Sequence, residues 1–190
     1  MTTRSDVYEL ADAYVERFAA LDPLTATGEG ITGHDHEMTD YSPDGVDERA
    51  EHDRATLRAL AATTAQTDAD RVAAGALRER LELALEEHDA GERLRDLRIL
   101  GSPVQEVRMV FDLMPRESEE HWQTIAERLA LVPQGLAGVV AGFTEGVQQG
   151  IVAARRQAVA ESEGVARTGS VTVKIVPRPG ALATAMSPPS

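Results

Sequence analysis

The sequence contains no cysteine, and aromatic residues make up only 4% of its 190 residues. The absence of cysteine excludes disulfide bonds, thiolate metal sites and cysteine nucleophiles. Because aromatic side chains are scarce, the core must be built mainly from leucine, valine and alanine, and this composition favours helices. With 42% hydrophobic residues, the chain has enough apolar side chains to bury a substantial core.

Basic residues are also few, and the formal net charge is −13. This charge argues against nucleic acid, because such binding relies on lysine and arginine to neutralise phosphates. It argues equally against anionic membrane surfaces. No apolar run approaches the roughly 18 residues that span a bilayer, and the first residues lack the apolar core of a secretion signal. We therefore expect a cytoplasmic protein with neither a nucleic-acid partner nor a membrane partner.

The charge is unevenly distributed along the chain. All 32 acidic residues precede Gly164, whereas residues 164–190 contain Arg167, Lys174 and Arg178 and no acid. Lys174 is the single lysine of the chain, and it lies in a β-prone run from Val171 to Val176. An isolated strand has no partner in a helical body. We therefore predict a helical domain over residues 1–163 and an irregular or poorly ordered tail over residues 164–190.

Apolar residues recur at helical spacing through most of the body, which predicts an all-α, irregular bundle of five to six main helices. Ser5 is the expected N-cap of the first helix, and Leu24 to Pro43 is expected to be the least regular segment. The predicted helices run from Ser5 to Leu21, Pro43 to Ala62, Asp68 to His88, Ser102 to Met114, Ser118 to Val132 and Pro133 to Ser162.

Five glycines lie inside the predicted sixth helix, at Gly135, Gly138, Gly142, Gly146 and Gly150. Each glycine costs about 1 kcal/mol of helix stability relative to alanine. We interpret these small residues as positions at which another helix approaches closely. The same stretch lacks the Gly-Lys-Ser/Thr ending and the preceding strand of a phosphate-binding loop.

A polar segment between Gly33 and Asp40 is the sharpest local candidate for chemistry. His34, Asp35 and His36 are residue types that ligate metals. His36-Glu37 resembles the start of the His-Glu-x-x-His helix of zinc peptidases, but Asp40 stands where that motif has its second histidine. Glycine flanks and a nearby proline favour a polar loop whose side chains bond to backbone groups. The weakest functional interpretation of the sequence is a small metal-binding protein that uses His34, Asp35 and His36.

The other candidate groups have simple structural explanations. His52, His88 and His121 lie on predicted helices beside charged residues, so we expect each at the solvent-facing rim. No Gly-x-Ser-x-Gly motif is present. Pairs such as Glu86-Glu87 and Glu119-Glu120 are common on acidic helices, and nothing in the sequence marks a pair as buried. We therefore assign no catalytic, cofactor-binding or metal-binding residue.

Several short elements, in order and spacing, resemble the N-terminal region of the bacterial domain-of-unknown-function 885 family, over roughly Ser5 to Glu161. The elements are Leu24-Thr25-Ala26-Thr27, Asp40-Tyr41-Ser42-Pro43, Ser102-Pro103-Val104-Gln105, Phe111-Asp112-Leu113-Met114-Pro115, Arg128-Leu129, Val132-Pro133, Glu145-Gly146 and Gly150.

This resemblance implies a large, mainly helical fold and a zinc metallopeptidase-like activity for the full-length family. The family's zinc site is a His-Glu-x-x-Pro-Gly-His-His type segment far downstream, to which no residue of this chain corresponds. We therefore expect zinc and a peptide substrate only in full-length members, and a chain that is inactive alone. The change of composition at Gly164 suggests that residues 164–190 are non-homologous, as in a truncated member.

The preferred interpretation is a non-catalytic N-terminal fragment of such a metallopeptidase-like protein, forming one wall of a substrate cleft. The alternative is a stand-alone helical binding module with an exposed apolar face. A fragment is expected to expose apolar surface on the fifth and sixth predicted helices, where the missing part would pack. Self-association through such exposed helix faces is a further expectation.

Overall fold

The computed structural model describes residues 5–98 and 101–160. Every regular element in this part of the chain is helical, so the predicted all-α fold is confirmed. The elements are α1 (Asp6–Leu21), α2 (Pro23–Gly28), α3 (Pro43–Ala62), α4 (Asp68–Asp89), a 3-10 helix (Glu92–Arg95), α5 (Pro103–Leu113) and α6 (Glu119–Gln149). Residues 155–160 are helical as well. The predicted tail, residues 164–190, lies outside the described residues.

Helices α1, α3 and α4 pack together and form one half of the molecule. Val7 and Ala19 of α1, Leu60 of α3 and Leu81 of α4 are almost completely buried there. Burial of each large aliphatic side chain contributes roughly 1.5–3 kcal/mol to folding. The predicted bounds of these helices agree with the structure to within one residue, because residues with clear capping preferences mark their ends.

Ser5 occupies the N-cap position of α1, but its side chain does not bond to the backbone of that helix. Its hydroxyl instead donates to Oδ1 of Asp70 at 2.7 Å. Asp70 is 2% exposed and also accepts the backbone N–H groups of Gln66 and Thr67. The hydrogen bond from Ser5, with those from the backbone, lowers the pKa of Asp70. The expected local cap is therefore a tertiary bond between α1 and α4.

The segment predicted to be least regular contains a short helix, α2, which begins at Pro23. Asp22 caps it by accepting the N–H of Thr25 at 3.3 Å, and the same carboxylate accepts the hydroxyl of Thr39 in the following loop at 2.6 Å. The Asp-Pro pair that ends α1 therefore also begins the next helix, since proline suits the first helical position. Leu24 and Ala26 of α2 are buried.

The predicted fifth and sixth helices are one continuous helix, α6, and the prediction of a boundary at Pro133 is wrong. Proline interrupts a helix because it lacks an N–H group and crowds the preceding turn. In α6 the ring of Pro133 lies on the exposed side. Packing on the opposite side stabilises the helix where proline cannot donate a backbone hydrogen bond. The predicted end at about Ser162 is also wrong, because Gly150 adopts a left-handed conformation and terminates α6.

The inner face of α6, defined by Gly135, Gly138, Gly142 and Gly146, is buried. A Cβ atom on Gly138 would lie 2.8 Å from the backbone N of Ser42, and one on Gly146 would lie 2.5 Å from the carbonyl oxygen of Leu94. The expected close approach is therefore present at Gly138 and Gly146, although the neighbours are the 38–42 loop and the 3-10 helix rather than another long helix. It is absent at Gly150, where a Cβ atom would meet nothing within 4 Å.

A second core joins α2, α5 and α6 around this inner face. Its buried members are Leu24, Tyr41, Val107, Val110 and Val139. Partly buried apolar side chains surround them, namely Met38, Val104, Phe111, Val132, Leu136 and Phe143. Aliphatic side chains dominate this list, as the scarcity of aromatic residues predicts.

Candidate functional site

The polar loop with the candidate metal ligands follows α2. Nδ1 of His34 lies 2.9 Å from Oε2 of Glu37, and Nε2 of His36 lies 3.6 Å from Oε1 of the same residue. Asp35 accepts a hydrogen bond from the Thr27 hydroxyl at 2.8 Å instead. Across residues 5–98 and 101–160, no three acidic or histidine side chains form a group suited to a metal ion. The side chains have the local polar contacts expected of a structured loop.

Arg128 of α6 fixes this loop to the helix, a role that the sequence did not predict, although Arg128-Leu129 is one of the elements that resemble the family. Its side chain is completely buried. It donates to the carbonyl oxygens of Glu37 and His34, both at 2.8 Å, and to the hydroxyl of Thr27 at 2.9 Å. A further bond reaches the carbonyl of Pro23 at 3.4 Å. A buried cation requires such partners, and the five donors of a guanidinium allow one side chain to hold several backbone segments.

The environment of Arg128 is unusual because its hydrogen-bond acceptors are neutral oxygens. Burial lowers the pKa of Arg128, while Asp35 and Glu37 oppose this shift from a distance. The residue could have been noticed in the sequence as the last charged position before sixteen uncharged residues, 129–144. That signal is weak, since an arginine at the edge of an apolar run more often lies at the surface.

The remaining histidines lie at the rim of the helices, where the sequence placed them. His52 stacks on Tyr14 with ring centroids 5.0 Å apart. Nε2 of His88 lies 2.9 Å from Oδ1 of Asp47, and Nδ1 of His121 accepts the N–H of Glu117 at 3.2 Å. All three are partly buried. Each therefore has a structural partner at the surface.

Two partly buried carboxyl groups, Glu106 and Asp53, are bonded to tyrosines, which the sequence did not indicate. The hydroxyl of Tyr41 donates to Oε2 of Glu106 at 3.0 Å. Burial raises the pKa of Glu106, and burial likewise raises the pKa of Asp53, which is hydrogen-bonded to Tyr14. Each pair joins elements distant in sequence. We interpret both as structural links between packed segments.

A small crevice opens beside Tyr41 and is lined by Arg49, Arg93 and Phe143. It has space for about one water molecule, and therefore none for a peptide or cofactor. Arg49 is held by the carbonyl of Asp40 at 2.7 Å, and burial lowers its pKa. The crevice is consequently part of the packing around the 38–42 loop.

The outer face of α6 is the most distinctive surface of the described chain. We define it by Trp122, Leu129, Val140 and Val147, which are 38%, 46%, 63% and 67% exposed. They are separated by seven, eleven and seven residues, which are close to whole numbers of helical turns, so they form one line. At about 1.5 Å per residue the line is about 38 Å long. Pro133 lies on the same side and is exposed.

The acidic residues of α6 lie off this line. Glu119, Glu120 and Glu127 lie in the first part of the helix and Glu145 lies near its end, and Glu127 and Glu145 are about 140° round the helix from the line. Every exposed charge on the helix is acidic. By length and composition α6 is the one described helix that could cross a membrane, and 22% of its apolar 18-residue stretch is buried. Such a single helix is weak support for a membrane span, and the absence of a membrane partner remains a prediction.

The fold is thus an all-helical body with a glycine-lined inner face and an exposed apolar outer face on one long helix. A model of a family described as bacterial protein of unknown function (DUF885) matches residues 23–175. This match covers most of the chain, so the chain belongs to that family. No curated protein matches the sequence. The match includes residues 164–175, which the change of composition predicts to be non-homologous, and the boundary at Gly164 remains a prediction.

Proposed function

We propose that this chain is a non-catalytic helical part of a metallopeptidase-like protein, and that the outer face of α6 receives the remainder of that protein. Membership of the family supports the first half of the proposal, because the resemblance implies a zinc site held by residues that this chain does not contain. In this arrangement the helical body forms one wall of a substrate cleft, and the zinc ligands come from the polypeptide that packs against it.

The outer face of α6 is the observation that carries the proposal. A helix at the surface of a soluble domain usually turns polar side chains to water. Here Val140 and Val147 are each more than 60% exposed, and Val140 lies in a stretch of sixteen uncharged residues, 129–144. Exposed apolar surface of this length marks an interaction site. The expectation that a fragment would expose apolar surface on these helices agrees with this geometry.

The side chains of the body fit a supporting role. Arg128 is fully bonded to loop carbonyls, and Glu106 and Asp53 are bonded to tyrosines. A general acid or base needs a reacting group within hydrogen-bond reach. The crevice beside Tyr41 has room for about one water molecule and therefore none for a peptide.

The decisive experiment begins with the genomic sequence that follows the codon for Ser190. We expect it to encode, in another reading frame, a helical polypeptide with a His-Glu-x-x-His type segment. Co-expression of that polypeptide with this chain should give a complex that retains zinc through purification. A locus without such a coding region would contradict the proposal.

Two charge substitutions locate the interface. Val140→Glu with Val147→Glu should abolish co-purification of the complex, because both carboxylates would be buried on association. Val15→Glu is the matched control, since Val15 lies on α1 and is 42% exposed. Loss of the complex in the control as well would indicate a different interface.

A stand-alone binding module is the second candidate function. It is supported by the closed hydrogen-bond network of the body, since no buried side-chain nitrogen or oxygen in the described residues lacks a partner. A module of this kind would be monodisperse and would unfold in one cooperative transition when purified alone. That behaviour, together with a locus that lacks the catalytic region, would favour the module over the fragment.

A further inference from the structure

The apolar residues on the outer face of α6 have a spacing that is the same in both directions along the helix. Seven, eleven and seven residues separate its four members, which are Trp122, Leu129, Val140 and Val147. The line is therefore symmetric about a point between positions 134 and 135. We propose that, in the chain alone, this face pairs two copies whose α6 helices run antiparallel about a two-fold axis through that point. The inference rests on the proposed function in treating the same face as a packing surface, and it names a second copy as the occupant when the remainder of the protein is absent.

The symmetric spacing makes the face complementary to itself. A two-fold contact brings one surface patch against the same patch of the other copy. In the antiparallel arrangement Trp122 lies opposite the partner's Val147, and Leu129 lies opposite the partner's Val140. Each larger side chain therefore meets a smaller valine, and all the apolar positions of both copies are covered at once.

The line of side chains is also straight and accessible. Seven residues fall about 20° short of two full helical turns, and eleven residues exceed three turns by about 20°. The two deviations alternate along the line and nearly cancel, so the line runs parallel to the helix axis. Val140 and Val147 are 63% and 67% exposed, which shows that the rest of the described chain does not cover them. A second straight helix can therefore lie along the whole face.

Charge favours the antiparallel arrangement over the parallel one. Residues 129–144, at the centre of the face, include no charged side chain. Glu127 and Glu145 lie about 140° round the helix from the line, away from the contact. A parallel pair would bring the Glu119–Glu120 ends of both helices together, whereas an antiparallel pair places this end opposite the partner's uncharged residues 149–150. It also brings the positive end of each helix dipole beside the negative end of the other.

The size of the face fits a weak dimer. A strip about 38 Å long and about 12 Å wide, the diameter of a helix with its side chains, has an area of about 450 Å² in each copy. Two such strips bury about 900 Å², which is less than the roughly 1,200–2,000 Å² of stable specific interfaces. Each copy also carries a net charge of −13, which opposes association. We therefore expect a reversible dimer whose population rises with protein concentration and with salt, because salt screens the repulsion.

Sedimentation equilibrium of the full-length chain over a range of concentrations measures this association. We expect conversion from monomer to dimer as the concentration rises. Val140→Glu should raise the dissociation constant at least about tenfold, because the two-fold contact buries the new carboxylate twice. Val15→Glu is the control, since Val15 lies on α1 and is 42% exposed, and it should leave the dissociation constant unchanged. Circular dichroism verifies that each variant keeps its helices.

The absence of cysteine allows a direct test of the antiparallel register. A Leu129→Cys chain mixed with a Val140→Cys chain under oxidising conditions should form a disulfide between the two. At an interaxial distance of about 10 Å, facing Cα atoms lie about 5 Å apart, within the range of a disulfide. Neither variant should form a disulfide with itself, because the two equal positions lie about 16 Å apart along the axis. Val15→Cys mixed with Val140→Cys is the control and should form none.

A chain that stays monomeric at every concentration would overturn the proposal, and protection of Val140→Cys from a maleimide in that monomer would assign the face to another segment of the same chain. Disulfides of Leu129→Cys with itself would also overturn it, because they would indicate a parallel pair. These measurements use this chain alone, whereas the complex described above is tested by the locus and by co-expression. Failure of the dimer is therefore distinguishable from failure of the complex.

Discussion

The inner and outer faces of α6 are both apolar but differ in side-chain size and in burial. The inner face is lined by glycines and is buried against backbone, whereas the outer face carries valine, leucine and tryptophan and is exposed. In most helices of globular proteins the larger apolar side chains point inward. Here glycines point inward beside larger side chains such as Val139 and Phe143, because the 38–42 loop and the 3-10 helix approach to about 3 Å or less from where a Cβ atom on Gly138 or Gly146 would lie.

Close backbone packing on the inner face and exposed apolar surface on the outer face therefore serve separate purposes on one helix. The inner face joins α6 to the rest of the body, with Arg128 as its polar anchor. The outer face is exposed and contributes little to that body, which is why we propose it as a binding surface. Substitutions on the two faces should therefore have very different effects on folding.

The largest effect is expected at the inner anchor. Arg128→Leu should lower the free energy of unfolding by about 4 kcal/mol, because the loop carbonyls and the Thr27 hydroxyl lose their buried donor. Urea denaturation measures the change. Arg17→Leu is the control, because Arg17 forms an exposed ion pair with Glu48, and such a substitution should change the stability by less than about 1 kcal/mol.

A smaller effect is expected from a single methyl group on the inner face. Gly146→Ala should lower the free energy of unfolding by about 2 kcal/mol, because its Cβ atom would overlap the carbonyl oxygens of Leu94 and Ile151. Gly75→Ala on α4 has open space around it and should instead stabilise the protein by up to about 1 kcal/mol. Equal shifts of thermal midpoint in the two variants would contradict the close packing.

The pH dependence of stability tests the core beside the inner face. Burial raises the pKa of Glu106 above its usual value of 4.5. A carboxyl group whose pKa is raised by folding favours the folded state at low pH, and this contribution is lost as the pH rises through the folded pKa. Glu106→Gln should therefore remove part of the decline in stability above pH 4.5. Identical pH profiles for the two proteins would show that Glu106 does not contribute.

The smallest effect is expected on the outer face. Val140→Ser with Val147→Ser should change the free energy of unfolding by about 0.5 kcal/mol or less, because both side chains are mostly exposed. The same chemical denaturation experiment measures it. A loss as large as that of Gly146→Ala would mean that the outer face is already packed against the body.

Much of the fold could be predicted because local signals agreed with tertiary structure. Ser42 with Pro43, and Thr67 with Asp70, mark the starts of α3 and α4, and both caps are present. Ser5 was placed correctly but bonds to Asp70 on another helix. A serine hydroxyl can accept a backbone N–H of its own helix or donate to a carboxylate on another helix, and the second choice depends on tertiary structure that the sequence alone does not show.

The errors at α2 and α6 share a physical cause. Proline marks helix boundaries through one missing N–H group and a local clash. At Pro23 the boundary is real, but a new helix begins immediately. At Pro133 the buried glycine face holds the two parts of α6 together, and this stabilisation is tertiary. Arg128 was missed for the same reason, since its acceptors come from the distant segment between Pro23 and Glu37.

The position of Trp122 has an optical consequence. It is the single tryptophan of the chain and lies on the outer face of α6, 38% exposed. The intrinsic fluorescence of the whole protein therefore reports on that face. Contact with an apolar partner near Trp122 would move the emission to shorter wavelengths without any added dye, whereas a partner confined to Val140 and Val147 would leave the spectrum unchanged.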